Sequence, residues 1–127
     1  MPSIRVKNST VTIDVNDQGD TIVLRTDAAF LKDILATQRN FTKSYENYRR
    51  IIADDTATQE QQEAAVDGLF ADNDAAIDRL FGAGACEKIF RDTGARSPFH
   101  YADFYDGLMQ VVEEQQESAA GKYAKKK

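Results

Sequence analysis

Apolar and polar residues alternate along the first part of the chain, from residue 4 to residue 24. This two-residue period is typical of strands that bury one face. Turn-forming residues at 8–9 and 16–19 interrupt the alternation, and Gly19 can adopt a positive φ. The pattern predicts two or three short antiparallel strands with apolar positions at Ile4, Val6, Val11, Ile13, Val15, Ile22 and Leu24.

From Asp27 the apolar residues instead recur every three or four positions, as on one face of an α-helix. Asp27 suits the N-cap because its carboxylate can accept backbone N–H groups of the first turn. The helix is predicted to begin at Ala28 and to need a partner surface along nearly its whole length. Its stripe consists of Leu31, Ile34, Gln38, Phe41, Tyr45, Tyr48 and Ile52.

A second helix is predicted to begin at Thr58, which forms a capping box with Gln61 by its spacing. Its apolar positions are Val66, Leu69, Phe70, Ala76, Ile77, Leu80 and Phe81. Asn73 falls inside this stripe, so either Asp72 caps a separate segment or one helix continues; we prefer the continuous helix. Gly82 is expected to end it in the left-handed C′ position.

The rest of the chain is predicted to contain a brief helix over residues 86 to about 91, a surface loop and a final helix. The brief helix is expected to bury Cys86, Ile89 and Phe90. Ser97 and Pro98 suit the N-cap and first position of the final helix. Its apolar positions are Tyr101, Phe104, Tyr105, Leu108, Val111 and Val112. Beyond Glu117 no apolar face continues, so the helix is expected to fray.

These elements predict an α+β fold that is mainly α, a helical bundle of about three to four helices with a small N-terminal antiparallel β-hairpin or three-stranded sheet. One domain is expected over residues 1–121, with a β-rich start at 1–25 and helices over 27–117. Residues 118–127 are expected to form a flexible basic tail. A chain of 127 residues, 42% hydrophobic and 29% charged, can build such a core by burial without disulfides.

The charge distribution argues against nucleic acid as a partner. Four of the 16 basic residues lie in the last six positions, which leaves 12 basic against 21 acidic residues in residues 1–121. Such an acidic body repels phosphate groups. The sequence has no signal-peptide pattern and no long apolar run, so a cytosolic protein without membrane association is expected.

Residues 79–90, RLFGAGACEKIF, contain a G-x-G break between two apolar clusters. A phosphate-binding loop follows a strand and carries Lys beside its last Gly, whereas here a helix precedes and Lys88 is four residues beyond Gly84. Gly82 and Gly84 are therefore predicted to form a structural turn between two helices.

Other candidate sites are incomplete. Cys86 is the only cysteine and has no predicted base beside it, so a buried thiol is expected. His100 is the only histidine and lacks companion metal ligands. Asp72 and Asp74 begin like a calcium loop, but the later Gly and Glu are missing. The sequence predicts no catalytic residue, no metal site, no cofactor and no enzymatic activity.

Aromatic residues are numerous on the predicted stripes for a small helical domain. Core packing can account for most of them. Tyrosines with one polar end are also frequent at protein interfaces, which suggests a shared role in core and binding face. The predicted partner-binding residues are Tyr45, Tyr48, Tyr101, Phe104, Tyr105 and Leu108.

A β-rich start is followed by a long helix with NFTKSYENYRRI, and residues 77–115 read IDRLFGAGACEKIFRDTGARSPFHYADFYDGLMQVVEEQ. This order resembles the small tail assembly chaperones of long-tailed phages and prophages of Gram-positive bacteria. In that family an lFG-G-xx-KiFgd segment precedes a last helix rich in Phe and Leu. The matching residues are Leu80, Phe81, Gly82, Gly84, Lys88, Ile89, Phe90 and Asp92, then Phe104 and Leu108. Arg91 stands where Gly is common.

The resemblance implies a protein that coats the tape measure protein, keeps it soluble and brings tail tube protein subunits to it. It also implies action in the cytoplasm of the bacterial host and absence from the finished virion. The last helix and part of the first are expected to form the binding groove. The family often has a longer frameshifted product, and the terminal AKKK is compatible with a slippery run of adenines.

Three other functions stay open at this point. A structural head-tail connector or tail-completion protein would form a fixed ring and occur in purified particles. An acidic host-directed adaptor or inhibitor would array carboxylates on one exposed face. An enzyme is the least supported. The regular 3-4 spacing of the first helix is also compatible with a homo-oligomer.

Overall fold

The computed structural model describes residues 2–4 and 10–124, with side chains up to residue 117. It is mainly helical with an N-terminal antiparallel hairpin, which confirms the predicted α+β class. The elements in chain order are β1 (Thr10–Asp14), β2 (Thr21–Arg25), α1 (Ala28–Ile52), α2 (Gln59–Phe81), α3 (Ala85–Ile89), a 3-10 turn (Arg91–Thr93) and α4 (Pro98–Ala124).

The hairpin follows the predicted alternation. β1 and β2 pair so that Val11 is opposite Leu24 and Ile13 is opposite Ile22. Leu24 and Ile22 are buried, while Val23 between them is exposed, as expected when successive side chains point to opposite faces. The third strand considered for Ile4 and Val6 falls largely on residues 5–9, outside the described residues.

The helices α1 and α2 begin at the predicted caps. Asp27 accepts the N–H of Phe30 at 2.9 Å, and Arg25 donates to the same carboxylate at 2.9 Å. The Arg25 contact and the Phe30 N–H lower the pKa of Asp27. Thr58 and Gln61 form the capping box, with side chain to backbone distances of 3.1 and 2.9 Å. α2 continues through Asn73, as preferred.

α1 and α2 pack side by side in opposite directions. The rings of Phe30 and Phe81 lie 5.7 Å apart at one end, in an edge-to-face arrangement. Midway along the pair, buried Asn73 donates to Ser44 at 3.5 Å and to the Leu69 carbonyl at 2.7 Å.

At the other end of the pair, Gln62 donates to the Ile52 carbonyl at 3.3 Å. α1 therefore runs from Phe30 at the first end to Ile52 at the other, and α2 runs back in the opposite direction. The two helices form an antiparallel helical hairpin.

The chain divides into two compact units, residues 1–96 and 97–127. The sequence prediction of one domain over residues 1–121 placed no boundary there. Among the described residues, the second unit consists of α4 and Ser97, the residue just before it. Ser97 accepts the Phe99 N–H at 3.2 Å, in keeping with the predicted N-cap.

α4 extends to Ala124, beyond the fraying expected after Glu117. Within the predicted tail of residues 118–127, the backbone of 118–124 is therefore helical, and residues 125–127 lie outside the described residues.

Candidate partner-binding surface

The G-x-G segment forms a corner between α2 and α3. Gly82 ends α2 with φ 104° and ψ 160°, and its N–H donates to the Asp78 carbonyl at 2.7 Å. Gly84 precedes α3 in the left-handed conformation with φ 84°. The left-handed position predicted for Gly82 thus belongs to Gly84. Both positive φ values favour glycine on backbone grounds.

The segment after this corner anchors the β-hairpin loop. Asn16 donates to the Lys88 carbonyl at 3.0 Å, and the Asp17 N–H donates to the Asp92 carboxylate at 2.7 Å. Arg91 pairs with Asp20 at 2.9 Å. The Asp92 side chain and the main-chain carbonyl of Lys88 therefore hold the hairpin loop.

Arg91 stands at the position where Gly is common in the family that the sequence resembles. It begins a 3-10 turn with no positive φ, so the backbone at this site does not require the Gly that is common there.

Cys86 lies in a polar cluster that the sequence did not predict. Its Sγ donates to the Asp74 carboxylate at 3.0 Å, and its N–H donates to Asp78 at 2.8 Å. Arg96 donates to the same Asp74 oxygen at 2.8 Å and lies 4.4 Å from the Phe90 ring centroid. The only available signal was the four-residue spacing of Asp74 and Asp78, which places both on one side of α2.

Burial and the Asp74 carboxylate raise the pKa of the Cys86 thiol to about 12. A nucleophilic cysteine requires the opposite, a lowered pKa that supplies thiolate near neutral pH. The thiol therefore acts as a buried hydrogen-bond donor that joins α3 to α2. Asp74, which in the sequence resembles the start of an incomplete calcium loop, is the acceptor at the centre of this cluster.

His100 stabilises the start of α4. Its Nδ1 accepts the Ser97 N–H at 3.1 Å, so the pair reproduces a capping box with histidine in the position usual for Glu or Gln. Across the residues described, no three His, Cys, Asp or Glu side chains are grouped as a metal ion requires. None of the described helices is long and apolar enough to cross a lipid bilayer.

The residues proposed on α4 for partner binding are mostly buried. Tyr101, Tyr105 and Leu108 are 0%, 2% and 3% exposed, so they do not present an open binding face. Their spacing of four and three residues, continued by buried Val112, places the buried residues along one stripe of α4. Partner binding by these three residues stays a prediction.

Phe104 is half-buried and contacts Tyr105, with ring centroids 5.4 Å apart. Phe99 is one of the aromatic residues counted on the predicted stripes but is not among the predicted partner-binding residues, and it is 65% exposed. Phe99 lies before Tyr101, the first buried residue of α4, and its spacing from the buried residues does not mark it as exposed.

The residues proposed on α1 are different. Phe41, Tyr45 and Tyr48 form an aromatic ladder along one face, with successive ring centroids 5.9 and 5.8 Å apart. Phe41 is buried, whereas Tyr45 and Tyr48 are half-buried. The ladder therefore begins in the core and emerges at the surface toward the end of α1.

The two ends of the helical hairpin differ in how far their apolar side chains are buried. We call Phe30, Ile34, Ile77 and Phe81 the closed end, because Phe30, Ile34 and Ile77 are at most 3% exposed. We call Tyr45, Tyr48, Ile52 and Val66 the open end, where the side chains are half-buried and Ile52 is 40% exposed. The open end offers a hydrophobic and aromatic surface with hydroxyl groups, suited to another protein chain.

Comparison with protein families, characterised proteins and solved structures found no match for this chain.

Proposed function

We propose that this chain is a phage tail assembly chaperone that binds and solubilises the tape measure protein and helps to recruit tail tube subunits. The order of sequence features described above supports this proposal. The observation that carries it is the open end, where half-buried Tyr45 and Tyr48 continue the aromatic ladder of the core. Such a surface can cover apolar segments of an elongated helical client.

The proposed mechanism is binding without covalent chemistry. An apolar stripe of the client would pack on Tyr45, Tyr48 and Ile52, while the tyrosine hydroxyl groups stay at the rim of the interface. The net charge of −5 would keep the complex dispersed by repulsion between particles. The chaperone would act in the host cytoplasm and leave before the virion is complete.

Co-expression with the tape measure protein of the same gene cluster tests this function. The wild-type chain should raise the soluble fraction of the tape measure protein, and Y45S/Y48S should remove most of that gain. V23S is the matched control, because Val23 is 48% exposed on β2, outside the open end. It should retain the gain.

Circular dichroism melts of both variants separate loss of binding from loss of fold. A Y45S/Y48S chain that remains folded yet solubilises the client as well as wild type would remove the open end from the proposal. Absence of any gain with the wild-type chain would refute the chaperone function. Stable incorporation into purified virions would favour the connector or tail-completion alternative.

A further inference from the structure

A row of basic side chains follows the solvent side of α1, opposite the aromatic ladder. Lys32, Arg39, Lys43 and Arg50 are all exposed. Their spacing of seven, four and seven residues returns them to the same side of the helix. At 1.5 Å per residue the row is about 27 Å long. We call these four residues the basic row.

The side chains of the basic row make no direct ion pair with any described residue, although Glu46 lies on the same side of α1, three residues after Lys43 and four before Arg50. None of its four side chains forms an ion pair or hydrogen bond within the part of the chain that the structure describes. Arg39 and Lys43 are four residues apart, so two like charges are neighbours on the helix. This arrangement slightly destabilises an isolated helix, and helix formation does not account for it.

The basic row also differs in sign from the charge of the other long helices. α1 contains five Lys or Arg residues and two Asp or Glu residues, whereas α2 contains one and six. α4 contains five acidic residues and no Lys or Arg between residues 98 and 117. The basic row is thus a local positive strip on a protein of net charge −5.

An apolar side chain borders this strip. Leu35 is 47% exposed and lies one helical turn before Arg39. A surface that combines a straight line of cations with an exposed leucine matches a helix carrying both acidic and apolar residues on one side. The straight course of the row and its positive charge therefore favour a partner that is straight and negatively charged.

We propose that the solvent side of α1 is a docking surface for an acidic amphipathic helix of another protein. A nucleic acid fits less well, because a protein of net charge −5 repels its phosphate groups outside the row itself. A second copy is disfavoured by the like net charge of −5 on both molecules. The inference does not depend on the chaperone function.

A designed peptide tests the surface directly. The probe is a labelled 21-residue Ala- and Leu-based helix with Glu placed to oppose the basic row, and its control carries Lys at the same positions. Fluorescence anisotropy should show that the full-length protein binds the Glu peptide at least about tenfold more tightly than the Lys peptide, because several charge pairs add. Equal binding of the two peptides would overturn the proposal.

R39E and R49E form a matched pair of variants. Both reverse one exposed charge on α1, but Arg49 lies outside the row. R39E also places Glu four residues before Lys43, a favourable helix pair that preserves the fold. R39E should weaken Glu-peptide binding about fivefold or more, and R49E less than about twofold. Equal losses would show only a general charge effect and would refute the basic row as the site.

Two further measurements examine the other occupants. Tighter binding of a 20-base-pair DNA duplex than of the Glu peptide, lost in R39E, would replace the proposal with a nucleic-acid surface. Concentration-dependent association of the protein in sedimentation experiments, lost in R39E and kept in R49E, would replace it with a self-association surface. We expect neither result.

Discussion

The closed and open ends of the α1–α2 helical hairpin differ in exposure although one apolar stripe connects them. At the closed end, Ile34 and Ile77 are at most 1% exposed. At the open end, Ile52 is 40% exposed and Tyr45 and Tyr48 are half-buried. Next to the closed end, Asp78 of α2 accepts the Cys86 N–H of α3, so α3 supplies additional buried surface there.

The difference shows how one stripe can serve two purposes. Residues covered by a second layer contribute their full apolar area to stability. Residues covered by only part of a layer contribute less and keep area available for a partner. The closed end is therefore expected to carry stability, and the open end is expected to carry binding.

Thiol reactivity should show the largest contrast between the two ends. A thiol of pKa about 12 contains about a thousandfold less thiolate at pH 8 than one with the ordinary value of 9.0. A more basic thiolate is also more nucleophilic, so native Cys86 should react with iodoacetamide at least about thirtyfold more slowly than the thiol introduced at the open end by a C86S/I52C variant. Mass spectrometry follows both rates. Comparable rates would contradict the burial and hydrogen bonding of Cys86.

The same pKa shift predicts how stability depends on pH. Because the folded-state pKa of Cys86 is raised, its contribution is complete below the unfolded value of 9.0 and is lost as pH rises toward about 12. The free energy of unfolding should fall through this window in wild type and fall less in C86S. Urea titrations at several pH values measure it. Parallel pH dependence of the two proteins would argue against the shift.

Truncation of a core side chain should separate the ends by stability. I77A removes a side chain that is 0% exposed and should lower the free energy of unfolding by about 3 kcal/mol. V66A removes a half-buried side chain at the open end and should cost about 1 kcal/mol or less. Chemical denaturation gives both values. Equal losses would remove the distinction between closed and open ends.

Loss of the Asp74 charge should weaken the polar cluster beside the closed end. D74N keeps an acceptor near Cys86 but removes the ion pair with Arg96, which is 2.8 Å in the wild-type chain. We expect a loss of about 1–2 kcal/mol in the free energy of unfolding, because both side chains are only partly exposed. R25A is the control, since the Arg25 pair is about half exposed, and it should have a smaller effect.

The capping box at the open end should make only a small contribution to stability. T58A removes the acceptor of the Gln61 N–H and should lower the free energy of unfolding by about 1 kcal/mol. T58S preserves the hydroxyl and is the matched control. Thermal melts followed by circular dichroism compare them. A T58S loss as large as that of T58A would show that the methyl group matters instead of the cap.

Local signals in the sequence determined where the elements begin and which sides face inward. Asp27 and the Thr58–Gln61 pair mark helix starts through hydrogen bonds that span only three residues. The alternation of Val11, Ile13, Ile22 and Leu24 predicted the hairpin for the same reason. These interactions depend on neighbours along the chain, so their spacing is visible before folding.

Tertiary structure alone decided which parts of each stripe are covered. Tyr101 and Tyr105 have the same kind of spacing as Tyr45 and Tyr48, yet the first pair is buried and the second is half-buried. The Asp74, Cys86 and Arg96 cluster likewise joins residues separated by 12 and 10 positions. Burial and such contacts depend on which distant surfaces meet, and the period of a single helix does not encode that choice.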